Sequence, residues 1–441
     1  MIAPRRQFRF SVRTLLVFVT VLAMPLAWLS WQAKIASDRK RARDWINENL
    51  EVGCGSLALV DGRDPFETSW VREKLGDERQ APYIFMPHWT GDAKMQELAR
   101  LFPETHFERH PASIHDWSRR WLVGHQGPKG DWSAQDFHRL CRGKPCLSPG
   151  SPDADTTVTA AAVLSLLGGG SSPHAGTYPE NVKRGLDSLV RTLKETDDRS
   201  DQSPMTRFGQ RLGTLALCEY FGMWRDDAVR NVAQRGLQSI AAAALPESPH
   251  WRDAPGQATD SSIVVWEMLA LHSGEFARLA MDHKALDDRA NWLREAVRGA
   301  EETDLGAAAS GLLALRVLRV SADEPDSRLF SDRLQAGFRQ TGVRRDCVAM
   351  LLVGMALHPQ PEAFDEWRSL LVKRLRLSQS REGCSPGSMN PDEPTPDAWG
   401  QAGGRVFVTA MSMLSFQIYY HHLPLFGWTR PHAAEKEGTA K

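Results

Sequence analysis

Gly403 to Phe426 read Gly-Gly-Arg-Val-Phe-Val-Thr-Ala-Met-Ser-Met-Leu-Ser-Phe-Gln-Ile-Tyr-Tyr-His-His-Leu-Pro-Leu-Phe. Glycines open this stretch, an apolar helix-length run follows, and Pro424 closes it. The run is apolar on more than one face, which suits a helix packed on two sides. Weaker copies of the unit recur upstream at Asp155–Gly170, Phe208–Gly222, Asp260–His272, Asp304–Leu318 and Arg345–His358, each rich in Ala, Gly, Ser or Thr. Before each runs a longer, more charged helical stretch, near Ile114–Gln126, Tyr178–Lys194, Asp227–Ala243, Ala285–Arg298, Ser327–Arg339 and Ala363–Ser378. The pattern predicts an all-α domain in which outer and inner helices alternate as six pairs. Small residues at Ala160–Ala162, Ala307–Ala309 and Gly311 would let the inner helices approach closely.

The bulk of the 441 residues fits one large domain with accessories, at 42% apolar and 24% charged content. A formal charge of zero argues against general nucleic-acid binding, which wants a basic face. Six cysteines in a chain of this length do not make a disulfide framework.

Ahead of the helical repeats, Leu15–Trp31 is the one apolar run of near membrane-spanning length. Pro25 is tolerable in such a span, Trp28 and Trp31 sit where interfacial anchors belong, and Arg5, Arg6, Arg9 and Arg13 form a basic flank. The run is longer than a signal-peptide core and no Ala-x-Ala cleavage pattern follows. The expectation is an uncleaved single-pass anchor in a bacterial cell membrane. Lys34, Arg39, Lys40, Arg41 and Arg43 make the second flank basic too, so charge does not decide the orientation; the large C-terminal domain is expected on the exported side.

Arg39–Leu50 reads as a charged juxtamembrane helix. Trp70–Gly76 reads as a helix, Ala81–Met86 as a short strand, and Thr90–Pro103 as a helix stopped by proline. This small α/β segment resembles a partial leucine-rich repeat, and as a single unit it is expected to serve as a cap. The resulting organisation is a basic flank over 1–13, an anchor over 14–36, a juxtamembrane helix and α/β cap over 37–111, the helical domain over 112–428, and a disordered tail over 429–441.

Trp117, Trp121, Leu122 and His125 make a helical stripe that runs into Gln126-Gly-Pro-Lys-Gly-Asp-Trp132. That Gln-xxx-Gly-x-Trp spacing resembles the QW motif of the squalene cyclase and prenyltransferase repeat family, in which it fastens one helix pair to the next. A degraded second copy reads Gln379-Ser-Arg-Glu-Gly383, with Met389 near the place of the tryptophan. A closer likeness covers Ile114 to Phe426. The motifs Asp155-Thr-Thr-Val-Thr-Ala-Ala-Ala-Val-Leu-Ser-Leu-Leu-Gly-Gly-Gly, Ser171-Ser-Pro-His-Ala-Gly-Thr-Tyr, Thr214-Leu-Ala-Leu-Cys-Glu-Tyr-Phe-Gly-Met, His250-Trp-Arg-Asp, Asp260-Ser-Ser-Ile-Val-Val-Trp and Gly403–Phe426 appear in one order. In that order they resemble bacterial membrane-anchored proteins with prenyltransferase/squalene-oxidase (terpenoid cyclase-like) repeats. The resemblance implies an α/α toroid, with inner helices around a central cavity; the simpler alternative is an open helical solenoid.

Pro152-Asp-Ala-Asp-Thr invites comparison with the Asp-x-Asp-Asp acid of class II terpene cyclases, with Asp153 and Asp155 as the candidate catalytic residues. Thr156 replaces the final aspartate, and two acids at a helix start are accounted for by capping and the helix dipole. His138-Arg-Leu-Cys141-Arg-Gly-Lys-Pro-Cys146 is the sharper cluster. His138, Cys141 and Cys146 supply three of the four N/S ligands that a structural zinc wants. A Cys141–Cys146 disulfide and two free thiols stay open beside it, and Cys384 is a further pairing partner. Cys218 and Cys347 read as small buried hydrophobes.

Against the family pattern, His250-Trp-Arg-Asp stands for Gly-Trp-Arg-Tyr, Gln210 for a histidine, and Cys347-Val-Ala-Met-Leu-Leu-Val-Gly-Met-Ala-Leu for an aromatic helix. Each change makes an interior less polar or less aromatic. The expectation is a protein that binds or scaffolds, with an apolar ligand or an envelope protein as partner. The rival expectations are an isoprenoid cyclase or transferase, and an envelope interaction module acting through the Gly53–Pro111 segment.

Overall fold

The computed structural model describes residues 12–49, parts of 71–109, and 112–426 apart from 142–144, 196–201, 252–258, 342–344, 381–383, 385–386 and 421. The chain is all-α in class, with fourteen helices and one pair of four-residue strands among the described residues. It divides into two compact units, 1–113 and 114–441.

In the first unit, α1 (Val12–Asn49) carries the apolar run, and Val17, Val19, Leu22, Met24, Leu26 and Trp31 along it are exposed. Among the described residues no helix is long and apolar enough to cross a membrane; the side chains of 12–16 and 18 lie outside them. The strands β1 (Tyr83–Met86) and β2 (His106–Arg109) pair in parallel, Tyr83 opposite His106, with α2 (Asp92–Leu101) as the crossover between them. Ala42, Ile46, Leu98 and Phe102 form this unit's core. Beside it the buried Asp77 accepts from Arg39 and Arg43, each at 2.9 Å. The helix expected at Trp70–Gly76 and the tail at 429–441 lie largely or wholly outside the described residues.

In the second unit the helices alternate as the sequence pattern predicts. The charged members are α3 (Ala112–Gly124), α5 (Pro179–Glu195), α7 (Asp227–Ala242), α9 (His283–Arg298), α11 (Pro325–Thr341) and α13 (Pro361–Ser378). The apolar members are α4 (Asp155–Gly168), α6 (Pro204–Trp224), α8 (Asp260–Phe276), α10 (Leu305–Val317), α12 (Cys347–Leu357) and α14 (Gly404–Gln417). Nearly every residue of α4, α12 and α14 and most of those of α6 and α10 are buried, which an all-round apolar helix requires. Each apolar helix packs on the next, α4 on α6 through to α12 on α14, and α14 packs back on α4.

Polar groups fix these crossings. Asp304 and Asp346 cap α10 and α12, and each also accepts an indole N–H, from Trp251 at 2.7 Å and Trp399 at 3.1 Å. Buried Glu267 on α8 takes Arg211 of α6 at 3.0 Å and Arg289 of α9 at 2.9 Å, while Arg289 also donates to the carbonyls of Ile240 and Ala243 at the end of α7. Four helices are thereby set by one carboxylate, whose two oxygens and two guanidinium partners are mutually satisfied.

The glutamine motif works twice. Gln126 Nε2 donates to the carbonyls of Gly130 and Asn181, both at 2.9 Å, joining α3 to α5. The Trp132 amide meets Thr159 Oγ1 of α4 at 2.9 Å. In the second copy Gln379 Nε2 donates to Ile114 O at 2.9 Å and to Gly387 O at 3.2 Å, joining α13 to α3. The Met389 amide meets Thr409 Oγ1 of α14, again at 2.9 Å. The glycine equivalent to Gly130 is therefore Gly387, not the expected Gly383, which lies outside the described residues. Both have positive φ, 88° and 95°, and a Cβ on them would meet Arg184 O at 2.2 Å and Trp117 O at 2.3 Å. Gln126 and Gly130 are four positions apart and Gln379 and Gly387 eight, so the second copy holds an insertion. Gly387→Ala is expected to destabilise the domain by on the order of 1–3 kcal/mol. At Gly299, where a Cβ meets open space, the same change should stay within about 0.5 kcal/mol in denaturant melts.

Glu219 of α6 is fully buried and accepts from the Ser273 hydroxyl and, at 3.0 Å, the Leu425 amide. No ion pair to it is found among the described residues. Burial pushes its carboxyl up to about 7 from the ordinary 4.5, against the smaller pull of those two donors. The folded state thus holds a proton that the unfolded chain releases sooner. Its contribution is complete below pH 4.5 and is lost as the pH rises towards 7. Chemical denaturation from pH 4.5 to 8 should show this loss, on the order of 3 kcal/mol, and Glu219→Gln should flatten it.

Candidate metal centre

His125 follows the last residue of α3, where the chain turns into the first glutamine motif. Its ring stacks on Trp121 with centroids 4.2 Å apart and meets the edge of Phe137. Its Nδ1 lies 2.8 Å from Trp121 O. A carbonyl only accepts, so Nδ1 carries the proton and Nε2 presents a lone pair. That nitrogen faces three sulfurs: Cys141 at 3.5 Å, Cys384 at 3.6 Å and Cys146 at 3.9 Å. All four ligand atoms lie within 4.8 Å of one another.

The supporting elements explain the convergence. The short 3₁₀ helix Asp136–Leu140 buries Phe137 and delivers Cys141 beside His125. The Cys146 amide then donates to Cys141 Sγ at 3.2 Å, which holds the two cysteines together beside the His125 ring. Cys384 arrives from the other end of the domain, inside the insertion of the second glutamine motif. His125 and Cys146 are buried, and Cys141 and Cys384 half-buried. Burial, aided by the neighbouring Cys146 and Cys384 side chains and opposed by the Cys146 amide, pushes the Cys141 thiol up to about 12. A divalent cation reverses that preference by displacing the protons.

Arg405, in the first turn of α14, closes the site from behind. It donates to Leu147 O at 2.9 Å, to the hydroxyls of Ser380 and Ser388 at 3.0 Å, and to Asn390 Oδ1 at 3.3 Å. One buried guanidinium thus holds the loop that carries Cys146 and the loop that carries Cys384.

Of the three ligands read from the sequence, Cys141 and Cys146 belong to the cluster. His138 does not: it is half-buried outside the cluster, and its Nδ1 is bonded to Gln135 O at 2.9 Å. His125 takes its place and Cys384 completes the set. Their signal in the sequence was the motif pair itself, since the two glutamines sit at 126 and 379, beside 125 and 384.

Asp153 and Asp155 are engaged elsewhere. Asp153 accepts from the hydroxyls of Ser151 and Ser203, which hold its carboxyl below the ordinary value. Asp155 accepts from the Ala134 amide at 2.8 Å and the Ser133 hydroxyl at 3.2 Å, and burial raises it. Neither side chain caps α4; Asp155 instead ties the loop after Trp132 to the start of that helix. The buried aromatic rings are packed on each other: Phe208 meets Trp266, Trp399 and Phe407 at centroid distances of 5.7, 5.6 and 6.2 Å.

Compared with known protein families, with curated proteins and with solved structures, the chain matches none.

A zinc-loaded preparation is expected to hold about one ion per chain by elemental analysis, given four N/S ligands. Cys146→Ser and Cys384→Ser should each lose it, and His138→Ala should retain it.

Proposed function

We propose that this chain is a non-catalytic binding or scaffolding protein, an α/α toroid of six outer–inner helix pairs attached to a membrane through residues 14–36, with a structural zinc in the centre formed by His125, Cys141, Cys146 and Cys384. The observation that carries the reading is the composition of that centre. Four N/S ligands fill a tetrahedral ion, whereas catalytic zinc keeps a position for water or substrate. With Zn–S of about 2.3 Å and Zn–N of about 2.0 Å, a tetrahedron has N···S edges of about 3.5 Å, in keeping with the 3.5, 3.6 and 3.9 Å found around His125.

The rest of the domain is consistent with the same reading. The return of α14 onto α4 supports a closed ring over an open solenoid. The working glutamine motifs support kinship with prenyltransferase/squalene-oxidase repeats. Asp153 and Asp155 spend their oxygens on loop donors, and the aromatic faces that a carbocation would need are covered by other rings. The exposed apolar row of α1 supports attachment to a bilayer.

Full-length protein, recovered in detergent from the membrane fraction, is expected to turn over neither squalene nor prenyl diphosphates. Asp155→Asn should shift the melting temperature alone. Product formation abolished by Asp155→Asn would overturn the reading.

A further inference from the structure

We propose that metal uptake is the step that closes the helical ring, so that zinc occupancy and the seam between the domain's first and last helices are thermodynamically one event. The proposal rests on the zinc reading given above and adds to it a function for the ion.

The argument starts from connectivity. Five of the six contacts between successive apolar helices join neighbours in chain order; the sixth, α14 against α4, joins the ends. Among the charged helices the matching end-to-end junction is α13 to α3, made by Gln379 on Ile114 O and by Ser118 Oγ on Gly387 O at 2.6 Å. Contacts between chain neighbours form and reform locally, in the manner of repeat proteins. The end-to-end contacts do not; they span more than 250 residues and carry the whole loop-closure entropy.

All four ligands flank this junction. His125 directly follows α3, Cys141 and Cys146 lie in the loop leading to α4, and Cys384 lies between α13 and α14. An ion bound to all four therefore links positions 125 and 384 directly. The same two loops are knitted by Arg405, by the Ser151 amide on Ala402 O at 2.8 Å, and by the Arg405 amide on Ser148 O at 3.0 Å. Organising either the metal set or the seam orders the other, and by linkage whatever loosens the seam must weaken the metal.

The test uses the full-length protein in zinc-loaded and chelator-stripped forms, with hydrogen exchange read by mass spectrometry and zinc affinity read by competition with a chromophoric chelator. Stripping is expected to speed exchange in residues 114–124 and 404–409 while leaving 260–317 unchanged. Gln379→Ala, which touches no ligand, should weaken zinc binding by about 5- to 100-fold, the usual range of a coupling between sites; Gln335→Ala, remote from the seam, should not. Zinc bound stoichiometrically with no difference in exchange at those segments, or an unchanged affinity in Gln379→Ala, overturns this inference and leaves the zinc reading standing. Failure of the unmodified protein to bind zinc, or a Cys141–Cys146 disulfide found by alkylation and mass spectrometry, overturns both.

Discussion

The contact on which the second unit turns is made by residues at its two extremes. The last apolar helix has to find the first, and no stretch of intervening chain brings them together by local propensity. What fixes the meeting is a set of polar groups with few alternative partners. Gln379 and Ser118 both donate to the Gly387 carbonyl, and Arg405 spans both loops with four neutral acceptors. Apolar helices alone would slide and rotate against one another, because their surfaces are uniformly greasy. Buried hydrogen bonds allow one register, since any other leaves them unmade.

The same logic recurs at the Glu267 cluster. Its carboxylate pairs with guanidinium groups from two helices, and one of these reaches on to the terminal carbonyls of a third. Removal of the acid would strand two buried cations, which makes the cluster a determinant of crossing angle more than a source of net stability. Glu219 is the contrasting case. It has hydrogen bonds without an ion pair among the described residues, and so it fastens the Pro424–Phe426 turn in a way that depends on its own protonation.

Much of this architecture was legible in the sequence, and the exceptions have physical causes. Apolar runs punctuated by Asp, Ser or Pro gave eleven of the twelve helices of the second unit to within about four residues, because helix starts are marked chemically and all-round burial is marked by composition; the last was read through to Pro424, whereas α14 stops at Gln417 and two 3₁₀ turns follow. The strand, helix and proline stop of the first unit were equally plain. The second glutamine motif was recognised but its glycine misplaced, since an insertion alters spacing without altering the turn that Gly387 makes. The metal set was half legible. Cys141 and Cys146 stand out by proximity, and His138 was grouped with them for the same reason. Yet ligands are selected by where side chains converge in space. His125 was hidden inside a helical stripe, where its register with Trp121 gave it a sufficient packing role, and Cys384 was 238 positions from the nearest partner cysteine.

Charge accounting links the centre to the helix behind it. Zinc held by three thiolates and a neutral imidazole would carry a net charge of −1, in a site where His125 and Cys146 are buried and Cys141 and Cys384 half-buried. Arg405 poses the opposite problem: it is buried, all four of its hydrogen-bond acceptors are neutral, and burial lowers its proton affinity while Cys146 and Asp392 raise it. A buried cation whose direct partners are dipoles is poorly compensated unless an anion lies close by. With zinc bound, the thiolates would add to the negative groups that already favour the charge of Arg405, Asp392 and Glu393 among them. Three thiolates would also donate electron density to the ion and blunt it as a Lewis acid. In the reading proposed above, such an ion would hold helices together, and its four N/S ligands would leave no position for water.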